Sequence, residues 1–343
     1  MRSFLKPAAG LVCLVALACA GCSSGSDGTS AARSAGTPSS APDTSNGSAA
    51  SATSYAPYVS ATTASGTDSA GSPSTYNLAF VISDGSGCTP EWNGTEAIGD
   101  SAVTSRISAL TDSGASVRVS FGGASGKELA STCDTASALA AAYGKALDAA
   151  GSTQADFDIE GDELTDSDSV ALRSEAIALL QKERGDLEVT YTLPVMPDGL
   201  DADGLALLES ANDHGVNVST VNIMTMNYGS SYTGDMGDYA ETSAAAAHDQ
   251  LAKVFGLSSE GAWQGLALTS MIGDNDVANE TFTLSDAAQL RTFAEEKEVA
   301  WVSMWSTFRD RQCSSGDPSS DDAATDCSGV TQSSGAFAQA LSG

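Results

Sequence analysis

The chain has 343 residues, and 44 Asp+Glu against 15 Lys+Arg give a formal charge of −29, although only 17% of residues are charged. Nucleic acids and anionic membrane surfaces are recognised by basic patches, so this balance argues against both as partners. His214 and His248 are the only histidines and neither has ligand spacing to a Cys, so no metal or other cofactor is expected.

In chain order, Arg2 and Lys6 precede an apolar run from Ala8 to Ala20, which reads as an export signal too short to span a bilayer. The run ends Ala20-Gly21-Cys22-Ser23-Ser24, which resembles a bacterial lipobox with Cys22 as the lipidation site, although Cys19 stands where Leu is usual. Residues 1–21 are therefore expected to be a lipoprotein signal peptide, with a plain secretory signal as the alternative. Residues 22–54 are rich in Ser, Gly, Ala, Thr and Pro. Such a segment cannot bury enough apolar surface to fold, and as a disordered tether it would span about 30 Å. The expected location is the outer face of a bacterial cell membrane, lipid-anchored, or the medium, with the chain a monomer.

Residues 55–343 suffice for one large α/β domain. Short apolar or β-branched runs predict strands over Ala56–Val59, Tyr76–Ile82, Val117–Gly123, Ala155–Glu160, Leu187–Val195, Val218–Tyr228, Leu266–Gly273 and Val299–Phe308. Helical patterns fall over Ala136–Ala149, Ser169–Glu183, Gly204–Asp213, Thr242–Phe255 and Ser285–Glu298, the last with Ser285-Asp286 as its cap. The connection Thr62–Ser74 is too polar and Gly-rich for a helix. Eight strands alternating with about seven helices predict a (β/α)8 TIM barrel rather than an open doubly wound sheet.

Seven cysteines sort by position: Cys13 and Cys19 lie in the signal and Cys22 is the lipid site. The remaining four suggest two disulfides in an exported domain. Cys313 and Cys327 share one Ser/Asp/Gly loop and are expected to pair there, adding about 3 kcal/mol on the chain-entropy model and leaving Cys88 with Cys133.

Several chemistries can be set aside. Gly122-Gly123-Ala124-Ser125-Gly126-Lys127 is one residue short of a phosphate loop, and Glu128 stands where Ser or Thr should follow. The folded region has no G-x-S-x-G elbow. Both histidines fall in polar helical stretches, where a solvated surface role is the ordinary one.

Ala155-Asp156-Phe157-Asp158-Ile159-Glu160-Gly161 is different. On a strand, the period of two sends Asp156, Asp158 and Glu160 to one face and Phe157 and Ile159 to the other. Like charges in a row repel and are poor strand formers, so a merely structural strand gains nothing from them. Glu160 falls at the C-terminal tip, where a barrel keeps its chemistry. Acids crowded in a barrel interior cannot all ionise freely, which keeps one protonated near neutrality.

Around this triplet the chain resembles glycoside hydrolase family 18, the chitinase family, over all eight strands. That family's S-x-G-G is matched by Ser120, Gly122 and Gly123, its D-x-x-D-x-D-x-E by Asp156, Asp158 and Glu160 with Thr153 replacing the first acid, and its M-x-Y-D by Met224 with Met226 and Asn227 in the Tyr and Asp positions. Its strand-eight Trp corresponds to Trp305. Within the family, the chain is most similar to bacterial single-domain secreted enzymes like chitinase D, on Asn77–Val81, Cys88–Trp92, Asp158–Gly161 and Ile272-Gly273-Asp274-Asn275-Asp276, with Tyr228 as the aromatic that follows on strand six.

The resemblance implies cleavage of chitin or other β-1,4-linked GlcNAc oligosaccharides with retention, the substrate's own 2-acetamido oxygen attacking to give an oxazolinium. Glu160 would be the general acid and then base, Asp158 would hold the acetamide N–H, and Asp156 would share a proton with Asp158. Tyr228 would donate to the acetamide oxygen. Trp305 would floor the sugar, with Ser120, Gly123, Met224 and Asn227 as further substrate-binding positions. The departures at Thr153, Met226 and Asn227 motivate the alternative, a non-catalytic surface lipoprotein that binds GlcNAc glycans.

Overall fold

The computed structural model describes residues 53–314 and 326–343. The predicted signal peptide, Cys22 and most of the predicted tether lie outside them. Of the predicted tether only Thr53 and Ser54 are described, and they belong to the folded part: Thr53 is buried and Ser54 lies in a strand.

The first barrel strand is split. Ser54–Tyr55 (β1) pairs in parallel with the last barrel strand, and Tyr58–Ser60 (β2) pairs in parallel with the next. Ala56 and Pro57 bridge them, with Ala56 N–H donating to Val302 and the Pro57 carbonyl accepting from Asn77 N–H. Pro has no N–H to give a ladder, which suits it to this handover between neighbours. There follow Thr75–Ser83 (β3), a hairpin of Pro90–Trp92 (β4) and Glu96–Ala97 (β5), and Ser101–Thr111 (α1). Next come Ser116–Gly122 (β6), Ala136–Ala150 (α2), Gln154–Asp158 (β7), Asp162–Thr165 (α3), Ser167–Glu183 (α4) and Glu188–Pro194 (β8). Then Ala202–Asp213 (α5), Thr220–Met224 (β9), Met236–Val254 (α6), Ser259–Gln264 (α7) and Leu266–Met271 (β10). The small hairpin Gly273–Asp274 (β11) and Thr281–Phe282 (β12), Leu284–Lys297 (α8), Trp301–Trp305 (β13) and Ala336–Ser342 (α9) complete the fold.

Parallel pairing runs β13-β10-β9-β8-β7-β6-β3, and the β1–β2 segment joins both ends into a closed barrel. All eight predicted strands exist. Four end two or more residues sooner than expected: β7 at Asp158, β9 at Met224, β10 at Met271 and β13 at Trp305. After β9 the chain turns at Asn227, whose φ is +56°. After β13 it tightens into a 3-10 turn over Thr307–Arg309. No helix forms between residues 62 and 74, as their composition predicts.

The period of two holds across the barrel wall. Phe121, Phe157 and Tyr191 point outward and are completely buried with Tyr143 of α2. Their ring centroids lie 4.8–5.8 Å apart, in stacked, tilted and edge-to-face pairs. Helix α1 went unpredicted because Ser and Thr dominate it, yet Val103, Ile107 and Leu110 form its buried stripe and Asp100 caps it by accepting from Ala102 and Val103 N–H. For α8 the cap is Thr283, not Ser285, in a reciprocal box with Asp286. Helix α9 hangs on buried Asp310, whose carboxylate accepts from Phe337 and Ala338 N–H.

Both expected disulfides are present, Cys88–Cys133 and Cys313–Cys327, with Cα atoms 4.5 and 5.1 Å apart. His248 departs from its expected solvated role: its ring is buried and stacks on Trp263 at 4.2 Å. No helix among the described residues is long and apolar enough to cross a membrane.

Candidate active site

The acids lie as the period of two requires. Register pairs Asp156 with Ser120 on β6 and Thr190 on β8, and both Asp156 and Asp158 are buried inside the barrel. Glu160 follows one residue past the last ladder bond of this segment, in which Ile159 N–H donates to Thr192. Gly161, at φ +53°, then turns the chain into α3.

Asp156 is the deepest and is saturated with donors. Its Oδ2 accepts from the hydroxyls of Tyr58 (2.8 Å) and Ser120 (2.7 Å), and its Oδ1 from Thr192 (2.6 Å). The polar chain continues across the barrel, Asn222 donating to Thr192 and Thr269 donating to Asn222. Burial pushes the Asp156 carboxyl above its usual range, and the three hydroxyls and Arg118 pull against it. Burial, with the neighbouring charges of Glu160 and Asp156, holds Asp158 well above its usual range. Glu160 is also raised, first by burial, while its hydrogen bond with Asp158 acts in the other direction.

Two expected roles change here. Asp156 was expected to share a proton with Asp158, but its two carboxylate oxygens accept instead from the hydroxyls of Tyr58, Ser120 and Thr192. Ser120 is completely buried and its hydroxyl is engaged by Asp156, so it positions an acid and does not face a ligand.

The glycines after β6 have a steric reason. Gly122 and Gly123 sit at φ +95° and +90°, a region that L side chains rarely adopt. A Cβ on Gly122 would stand 2.1 Å from the Asp158 carbonyl oxygen, and one on Gly123 would stand 2.8 Å from the Phe80 ring. Gly123 N–H donates to the Asp158 carbonyl (2.9 Å), so this donor holds the acid strand rather than a substrate. Gly122→Ala should therefore destabilise the fold by about 3 kcal/mol or more, measurable as a lower denaturant midpoint. Behind these glycines Glu128, the residue that breaks the phosphate-loop pattern, forms a buried ion pair with Arg173 (2.8 Å) and accepts from Tyr143.

A pocket of about 140 Å³ opens over the acids, lined by Tyr58, Phe80, Asp158, Glu160, Met224 and Trp305 among others. Trp305 stacks on Phe80 with centroids 5.5 Å apart, and Tyr58 meets its edge at 5.9 Å. The peptide bonds Ala79–Phe80 and Trp305–Ser306 are cis. A second pocket of about 200 Å³ adjoins it across Glu160, Met224, Met226 and Asn227, and runs on to Met196 and Asp201. Asp158 Oδ1 is buried beneath this mouth without a hydrogen-bond partner. A buried acceptor left unpaired is costly in a resting structure, and an incoming N–H would satisfy it.

Tyr228 does not join the site. Its buried ring packs among Tyr232 and Tyr239, and its hydroxyl lies 3.4 Å from Ser243 of α6, so the residue expected to meet the substrate is turned toward the helical layer. Asn227 lines the pocket, but its side chain is bonded to the loop after β10. Sequence reasoning missed Tyr58, Phe80, Thr192 and Asp276 as site residues. The first three sit on predicted strands, where alternation marks a face but not a role. Asp276 closes the Ile272–Asp276 stretch that carries part of the family resemblance, and its acid type was the available signal.

Closed barrel and carboxylate row at its C-terminal mouth together define the class: a (β/α)8 barrel of the glycoside hydrolase type. No family model matches the chain. It is 33% identical over 249 residues to the "Probable bifunctional chitinase/lysozyme" of Escherichia coli K12, a match covering 68% of this chain and 28% of that protein. It is 32% identical over 249 residues to "Endochitinase 11" of Metarhizium anisopliae, covering 68% and 47%. The chain thus spans less than half the length of either curated relative. Active domain 2 of the thermostable chitinase of Pyrococcus furiosus, solved as catalytic-site mutants with chito-oligosaccharides, superposes with a TM-score of 0.73 at 28% identity, over 84% of this chain and 92% of that one. The chain belongs to glycoside hydrolase family 18, the chitinase family.

Proposed function

We propose that this protein hydrolyses β-1,4-linked GlcNAc oligosaccharides with retention, through attack by the substrate's own acetamido oxygen. The observation that carries the reading is the buried, unpartnered Oδ1 of Asp158 beneath a pocket walled by Trp305 and Phe80. An acetamide N–H at that oxygen would orient the neighbouring carbonyl oxygen toward the anomeric carbon. Indole and phenyl faces would carry the apolar face of the sugar.

In this reading Glu160 first protonates the leaving glycosidic oxygen. Burial, with the charge of Asp276, raises its carboxyl above the ordinary range, which suits a general acid. As the ring gains positive charge, Asp158, its Oδ1 accepting from the acetamide N–H, holds the attacking oxygen in place and stabilises the cationic intermediate. Asp156 stays fixed by its three hydroxyls and supports Asp158 from below. Glu160, now ionised, activates the water that opens the oxazolinium. We also propose residues 1–21 as a lipoprotein signal, Cys22 as the lipid-bearing residue, a tether running from Cys22 to the start of the fold, and the mature chain as an extracellular monomer.

The test is incubation with GlcNAc oligomers of increasing length, reading the products and the anomeric configuration of the first-formed sugar. Products should appear with the β configuration, and the same oligomers stripped of N-acetyl groups should be inert. Inverted products, or equal turnover of the deacetylated series, would overturn the mechanism. Binding without any release of reducing ends would instead favour a glycan-binding protein.

A further inference from the structure

The strand-six pattern of the family carries an acid where this chain has Asn227, and the site pocket carries an unassigned carboxylate opposite, Asp276. We propose that Asp276 is a fourth carboxylate of the site, a positioning residue that acts on Glu160 through its charge, and that Asn227 is the clamp that holds it there.

The placement is built, not incidental. Asn227 Nδ2 donates to Asp276 Oδ2 (2.9 Å), while Asn227 Oδ1 accepts from the N–H groups of Asp276 (3.1 Å) and Val277 (3.4 Å). Only an amide can do both, since a carboxylate at 227 has no donor and would repel Asp276. Glu280, completely buried, ties the same loop down by accepting from Tyr228 N–H (3.1 Å) and Gly229 N–H (2.7 Å). Asn279 Nδ2 adds a bond to the Tyr232 carbonyl, and Asn275 Nδ2 one to Met271. Five loop residues from the β11–β12 hairpin are thereby stitched to the loop after β9 or to β10.

The acidic groups around Glu160 are all carboxyls, from three elements. Asp158 lies on its own strand segment, Asp276 on the clamped loop, and Asp201 ahead of α5 across the adjoining pocket. Tyr58 is the remaining titratable group, and the other lining residues, Met224, Met226 and Trp305 among them, are uncharged. Among the described residues, no Lys or Arg lines either pocket. A like charge nearby disfavours ionisation, and the Asp276 charge acts on Glu160 in that direction.

The proposal rests on Glu160 being the acid, so its test reads Glu160 both without and with catalysis. Carboxyl carbon-13 NMR of glutamate-labelled protein follows the Glu160 titration, assigned by the signal lost in Glu160→Gln. Asp276→Asn removes the charge but keeps an oxygen for Asn227; the Glu160 midpoint should fall, and turnover of GlcNAc oligomers on the alkaline limb should drop by about threefold relative to its own plateau. Asp276→Glu, which keeps the charge, should leave the midpoint near that of the parent. An unmoved midpoint in Asp276→Asn overturns the proposal, as does an equal shift in both variants, which would mark loop displacement. A midpoint that falls in Asp276→Asn while the parent cleaves no oligomer would defeat the functional reading and leave this coupling standing.

Discussion

Glu160→Gln will cleave GlcNAc oligomers at least about a thousandfold more slowly than the parent while its melting temperature stays within a few degrees. The amide retains the shape and both hydrogen-bonding positions of the side chain, but it cannot give a proton to a glycosidic oxygen or take one from water. Glu160 stands at the barrel mouth, past the last residue of β7, and only partly buried. Its loss therefore removes no core packing, which separates chemistry from folding. Oligosaccharide affinity should survive, since the aromatic wall of Trp305 and Phe80 and the acceptor on Asp158 are untouched. Single-turnover hydrolysis beside calorimetric binding checks both halves. A variant that turns over like the parent would remove Glu160 from the chemistry.

The acid row is legible in the amino-acid sequence because it violates the habits of a strand. Three carboxylates alternating with Phe157 and Ile159 have no structural use, so their shared face follows from period alone. The eight strands are legible for the same reason that parallel strands usually are, being short apolar runs at even spacing. What stays hidden is long-range. Tyr58 and Thr192 are ordinary strand residues until the barrel closes and brings their hydroxyls onto Asp156. Tyr228 reads as a site residue by resemblance, as the aromatic that follows on strand six, but the strand ends at Met224 and the chain turns at Asn227, whose positive φ carries Tyr228 away. The Glu128–Arg173 pair joins residues 45 apart in sequence, a separation that periodicity does not read. Predicted strands overrun their ends wherever apolar composition continues into a turn, as at Thr225–Tyr228 and Ser306–Phe308.

Asp158→Asn should trade activity for stability, and the trade should depend on pH. Activity falls because an amide cannot ionise to stabilise the cationic intermediate, a loss of about a hundredfold or more in kcat. Stability moves the other way. Asp158 is buried between Glu160 and Asp156 with one oxygen unpaired, and its carboxyl is held well above the value of about 3.9 that it has in the unfolded chain. Between those two values the native state keeps a proton that the unfolded state has lost, so the stability contributed by this group is present in acid and drains away as pH rises through the folded value. Asn copies the protonated acid and does not titrate. The melting temperatures of parent and variant should therefore nearly coincide below about pH 4 and diverge above it, the variant a few degrees higher at neutral pH. A variant destabilised equally at every pH would mean that the carboxylate row is not strained and that the Asp158 proton is held by something other than its neighbours.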